Sequence, residues 1–84
     1  MSKEIILEDK AELNGQEYTV LNMRKPRMRD LKGVRHIKDP ADQDAALFGN
    51  LCDVAPAVIE ELTVVDYNSV AEAYRELSIP KQKS

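Results

Sequence analysis

The side chains able to do acid, base or nucleophilic chemistry are few: one histidine, His36, one cysteine, Cys52, and the carboxylate pairs Asp42/Asp44 and Glu60/Glu61. A catalytic site needs a nucleophile or an acid/base pair with a neighbour that orients it. None of these groups has such a neighbour at suitable spacing, and there is no glycine-rich phosphate loop. His36, in VRHIK, reads as a partly exposed helix-end residue. Cys52, with Leu51 and Val54 close by, reads as a small buried filler, and a lone cysteine forms no internal disulfide. The carboxylate pairs fall near helix ends or on polar faces, where charge is solvated. The expectation is a protein that is not an enzyme and holds no metal or cofactor.

Charge distribution is the more informative chemistry. The chain carries a net charge of -3, yet the segment 24–38 holds seven Lys/Arg (Arg24, Lys25, Arg27, Arg29, Lys32, Arg35 and Lys38) against one acid, Asp30. Two consecutive helices around this segment could resemble a helix-turn-helix, which makes a small DNA-binding regulator the alternative reading. The second helix opposes it, because a recognition helix points its first turn at the groove and here that turn carries Asp39, Asp42 and Asp44. An acidic protein surface, on this chain's own acidic helices, on a partner or on a second copy, suits the cations better, and a solvated charge run with no partner is the remaining reading.

The elements that must position these groups follow from turn chemistry and periodicity. The 84 residues form one domain, 1–84, 43% hydrophobic and 32% charged, with the composition of a soluble globular protein. Nothing approaches the roughly 18 apolar residues of a membrane span, so a cytoplasmic protein is expected. Asn14-Gly15 between alternating segments predicts a type I′ hairpin with strands at about 4–13 and 16–24. Helices are predicted at about 27–37, 40–54, 56–62 and 64–77, with a frayed tail at 78–84. Pro26, Asp39-Pro40, Pro56 and Thr63 mark their starts. The wide apolar stripe of 40–54 predicts a central helix. The fold class is α+β: a hairpin, three main helices and one short one.

A two-residue turn pairs Leu13 with Gln16 and places Ile5, Leu7, Ala11, Leu13, Tyr18 and Val20 on one face of the hairpin. Ile6, Leu21 and Met23 then fall at the far end of the other face and form a candidate contact patch, unless the last helix covers them. Two details strain this register. Asp9 falls on the apolar face, and Glu12 faces Glu17, with Lys10 diagonal to Glu17. A bulge would change the pairing.

Gly15, Tyr18, Thr19, Leu21, Met23, Arg24, Pro26, Asp30 and Leu31, in the pattern G-x-x-Y-T-x-L-x-M-R-x-P-x-x-x-D-L, resemble the opening of the small tail assembly chaperones of tailed bacteriophages, the group typified by phage Mu. ALFGNLCDVAP, AVIEEL and TVVDYNSVAEAYREL continue the likeness over about residues 10–78. Arg27 and Ala55 depart from it, standing where a capping Ser or Thr would suit. The resemblance implies a non-enzymatic protein, made in the host bacterial cytoplasm and absent from the mature virion. Such a protein binds the long helical tape measure protein, keeps it soluble and assists tail-tube assembly. It also implies a longer form made by frameshifting. Apart from the resemblance, the thin core of so short a chain makes a second copy in a homo-oligomer a further partner, no membrane is expected, and the acidic start of the second helix disfavours nucleic acid. The partner-binding candidates are Ile6, Leu21, Met23, Arg24, Arg27, Arg29, Lys32 and Arg35.

Overall fold

Asn14 (φ 53°) and Gly15 (φ 82°) both occupy the left-handed region that a type I′ turn requires. A computed structural model, describing residues 2–80, places them between β1 (Ser2–Leu13) and β2 (Gln16–Arg24), an antiparallel pair. Near the turn the register is the expected one, with Leu13 opposite Gln16, Glu12 opposite Glu17 and Ala11 opposite Tyr18. Lys10 Nζ reaches Glu17 Oε2 at 2.7 Å, offsetting the like-charge Glu12/Glu17 pair.

Beyond Ala11 the register changes. The ladder resumes at Ile6 opposite Val20 and Ile5 opposite Leu21, so Leu7, Glu8, Asp9 and Lys10 stand against Thr19 alone. An odd excess of residues reverses which side chains share a face. Leu21 and Met23, expected beside Ile6 on the second face, instead join Ile5, Leu7 and Ala11 in the core, at 2% and 0% exposure. Ile6, 75% exposed, and its cross-strand partner Val20 face outward, where Val20 had been expected inside. The same bulge carries Asp9 out to solvent. An unbulged strand would have buried it on the apolar face.

Four helices follow: α1 (Met28–Val34), α2 (Pro40–Cys52), α3 (Pro56–Glu60) and α4 (Val64–Leu77). α2 is central, packing on α1, α3 and β2, while α4 lies along β1. Its buried Ala45, Leu47, Phe48, Gly49, Leu51 and Cys52 wrap most of its circumference, as the wide stripe predicted. Phe48 sits between Tyr67 and Tyr74, ring centroids 5.8 and 5.5 Å away and tilted, a favourable aromatic arrangement.

The helix ends have local causes. Asp39 Oδ1 accepts the Ala41 amide at 2.8 Å with Pro40 in the first turn, and Thr63 Oγ1 accepts the Asp66 amide at 3.2 Å. α1 stops at Val34, short of 37, where the Gln43 side chain of α2 donates to the carbonyls of Val34 and Ile37. α2 stops at Cys52, short of 54, because Asp53 turns left-handed (φ 59°) and the Val54 amide closes onto the Gly49 carbonyl at 2.9 Å. A Cβ at residue 49 would lie 2.8 Å from the Val54 carbonyl oxygen and 3.2 Å from the Pro56 nitrogen, so this tight return to α3 requires glycine. Of the predicted tail, Ser78 still bonds the Tyr74 carbonyl through both its amide and its hydroxyl. Residues 81–84 lie outside those described.

Candidate partner-binding surface

The basic segment divides into a cation used by the fold and cations left over. Arg24, at the end of β2, donates from both guanidinium nitrogens to the Asp30 carboxylate at 2.9 and 2.8 Å. Asp30, 8% exposed, also accepts the Arg27 amide at 2.8 Å. The Arg24 guanidinium outweighs the effect of burial, and with the Arg27 amide holds the Asp30 carboxyl at a pKa of about 2. Arg27 therefore serves as N-cap without a capping hydroxyl, since an arginine side chain has no acceptor to return. Arg24, a candidate partner contact, joins the hairpin to α1.

Lys25, Arg27, Arg29, Lys32 and Arg35 are exposed and form no salt bridge among the described residues. Four of them border a groove; Arg29 does not. The groove consists of three adjoining clefts of about 400, 390 and 450 Å³. The first lies between the 25–27 connection and the end of α4, against Tyr74, Leu77 and Ile79. The second separates α1 from α2 over Leu47, and the third separates α2 from α4 over Phe48 and Tyr74. Leu31 lines all three, and Met28 lines the first two while 70% exposed.

Helical spacing explains the arrangement. Met28, Leu31, Lys32 and Arg35 recur at i, i+3, i+4 and i+7, which puts an apolar strip and a cationic margin on one side of α1. α1 is only seven residues long and packs chiefly on α2, so clefts stay open beside it, toward both α2 and α4. Of the groove residues, only Arg27, Lys32 and Arg35 were among the sequence candidates. Met28 and Leu31 share one side of α1 by their spacing, but the openness of that side comes only with the packing.

A second polar arrangement holds the hairpin to α4. Asp66, fully buried at 0% exposure, accepts the Glu8 amide at 2.8 Å and the Asp9 amide at 3.1 Å. These are amides of the bulge, which have no ladder partner. Burial alone would raise the Asp66 pKa, but the two amides and the Thr63 side chain together bring it below the ordinary carboxylate value. Thr63 caps α4 through the Asp66 amide, but no reciprocal capping bond forms, because the Asp66 carboxylate turns to β1 instead.

The model of the family described as "Phage tail assembly chaperone proteins, E, or 41 or 14" matches residues 4–79. The chain belongs to the phage tail assembly chaperone family. No curated protein and no solved structure matches it.

Membership in this chaperone family implies a non-catalytic role. His36 is exposed in the turn after α1, and Cys52 is buried, which pushes its thiol up to about 11 and away from nucleophilic thiolate. Asp44 accepts the Tyr67 hydroxyl at 2.8 Å, and Glu60 and Glu61 are exposed. Among the described residues no group of three or more His, Cys, Asp or Glu could hold a metal ion, and no helix is long and apolar enough to cross a membrane. For DNA, the chaperone's α2 would present Asp39 and Asp42 at its first turn, next to the cations of α1. Phosphates would meet repulsion there.

Proposed function

We propose that this tail assembly chaperone binds the tape measure protein of its phage and keeps that protein's apolar surface from aggregating until the tail tube is assembled. It acts in the host cytoplasm and leaves before the virion is complete. Family membership supports the general role. The observation that carries the specific one is an apolar groove beside α1 bordered by Lys25, Arg27, Lys32 and Arg35, which form no salt bridge among the described residues. Met28, Leu31, Tyr74 and Leu77 give a holding surface, and a flexible methionine adapts to more than one apolar register along a long client.

Co-expression with the tape measure protein tests this reading. The chaperone is expected to raise the client's soluble fraction and to co-purify with it, and to be missing from purified particles by mass spectrometry. An unchanged soluble fraction without co-purification would overturn the client assignment. Chaperone present at structural copy number in particles would make it a tail component.

A further inference from the structure

The groove has an unused charge requirement. Lys25 and Arg27 stand at its α4 end and Lys32 and Arg35 along α1, four cations without a salt bridge among the described residues around an apolar floor centred on Leu31, while a fifth in the lining, Arg75, is paired to Glu72. Among the described residues the one carboxylate in its lining, Asp44, already accepts the Tyr67 hydroxyl. By contrast, Lys3, Lys10, Arg24 and Arg75 are each matched to a carboxylate within the chain. The other exposed apolar positions lack this combination. Ile6 and Val20 lie on a hairpin face beside Glu4 and Glu8, and Val64 and Val65 stand near Glu60 and Glu61.

Resting on the client-holding function above, we infer that the groove beside α1 receives an amphipathic helix of the client whose apolar stripe is flanked by Asp and Glu. The apolar stripe covers Met28 and Leu31 and fills the cleft toward Tyr74 and Leu77. The flanking carboxylates reach the four bordering cations. A helix suits the site because a groove with an apolar floor and charged margins takes side chains at i, i+3, i+4 and i+7. The charges select an acidic client and reject a basic one, which would bring like charges together over Arg27, Lys32 and Arg35.

Two synthetic helical peptides test the inference without the client. They share one apolar stripe, flanked by Glu in one and by Lys in the other, and are titrated into the full-length chaperone with amide chemical shifts as readout. The Glu-flanked peptide is expected to bind at least tenfold more tightly, to shift the amides of Met28, Leu31, Lys32 and Arg35, and to weaken with added salt. The combined variant Arg27→Glu, Lys32→Glu, Arg35→Glu is expected to reverse the preference, while Val65→Asp, at an exposed position away from the groove, leaves it within twofold. Equal binding of both peptides, or shifts centred on the hairpin, would overturn the inference. So would a dimer of the wild-type chain that dissociates in the triple variant, since a second copy would then fill the groove. Loss of client binding with the peptide preference intact would instead remove the client assignment and leave the groove's specificity standing.

Discussion

The guanidinium of Arg24 lies bidentate on the carboxylate of Asp30, at 2.9 and 2.8 Å, and so ties the last residue of the hairpin to the first turn of α1. The groove depends on this junction, because α1 is short and rests chiefly on α2.

Acid should loosen that junction. The Asp30 pKa is held at about 2, below its ordinary value of 3.8, so its contribution is fully present above about pH 4 and is lost as pH falls toward 2. With Arg24 partly exposed, the contribution is roughly 1 to 2 kcal/mol. Urea midpoints measured from pH 6 to pH 2 should fall for the wild type, and Asp30→Asn should start lower and fall less. An identical acid slope in the variant would contradict the assignment.

Asp66 accepts two bulge amides from a fully buried position. Asp66→Asn leaves an amide group facing an amide, and should cost at least about 2 kcal/mol. For a domain of this size the melting temperature should drop by about 8 °C or more. Hydrogen exchange at Glu8 and Asp9 should accelerate more than at Ala11. A variant within a degree of the wild type would mean that solvent satisfies the bulge.

The bulged register makes opposite predictions for neighbouring apolar residues. Met23→Ala and Leu21→Ala should each cost about 2 to 5 kcal/mol, as core truncations do. Ile6→Ala should stay within about 0.5 kcal/mol of the wild type. Unfolding by denaturant measures all three, and equal costs at Ile6 and Met23, which share a face without the bulge, would restore the unbulged pairing.

Asp53 is an acidic, left-handed residue at the C-terminus of α2, where a positive φ suits glycine and the helix dipole disfavours an anion. Asp53→Gly should stabilise the chain by about 0.5 to 1 kcal/mol despite the greater freedom of glycine when unfolded. Thermal melting reads the change, and a destabilised variant would show that its charge near Arg24 matters more.

Much of the fold was legible because its signals are local. Asn14-Gly15, Asp39-Pro40, Pro56 and Thr63 place the turn and three helix starts within a few residues, and the breadth of the α2 stripe announced a central helix. The bulge was not legible as a position, although Asp9 on an apolar face and the facing Glu12 and Glu17 marked a register under strain. Its amides are held by Asp66, 57 residues away from Asp9, and a contact so distant leaves no spacing to read. The candidate site suffered the same way. The excess of cations in 24–38 was plain, but their division into Arg24, bound to Asp30, and the free border of Arg27, Lys32 and Arg35 came only with the packing of α1.

The central claim is that this chaperone holds its tape measure protein against aggregation. Purified tape measure protein, diluted from denaturant, provides the direct measurement through light scattering with and without the chaperone. Scattering should fall as the chaperone approaches equimolar ratio, and the triple variant Arg27→Glu, Lys32→Glu, Arg35→Glu should protect less. Scattering that the wild-type chaperone leaves unchanged at equimolar ratio and in excess would contradict the account.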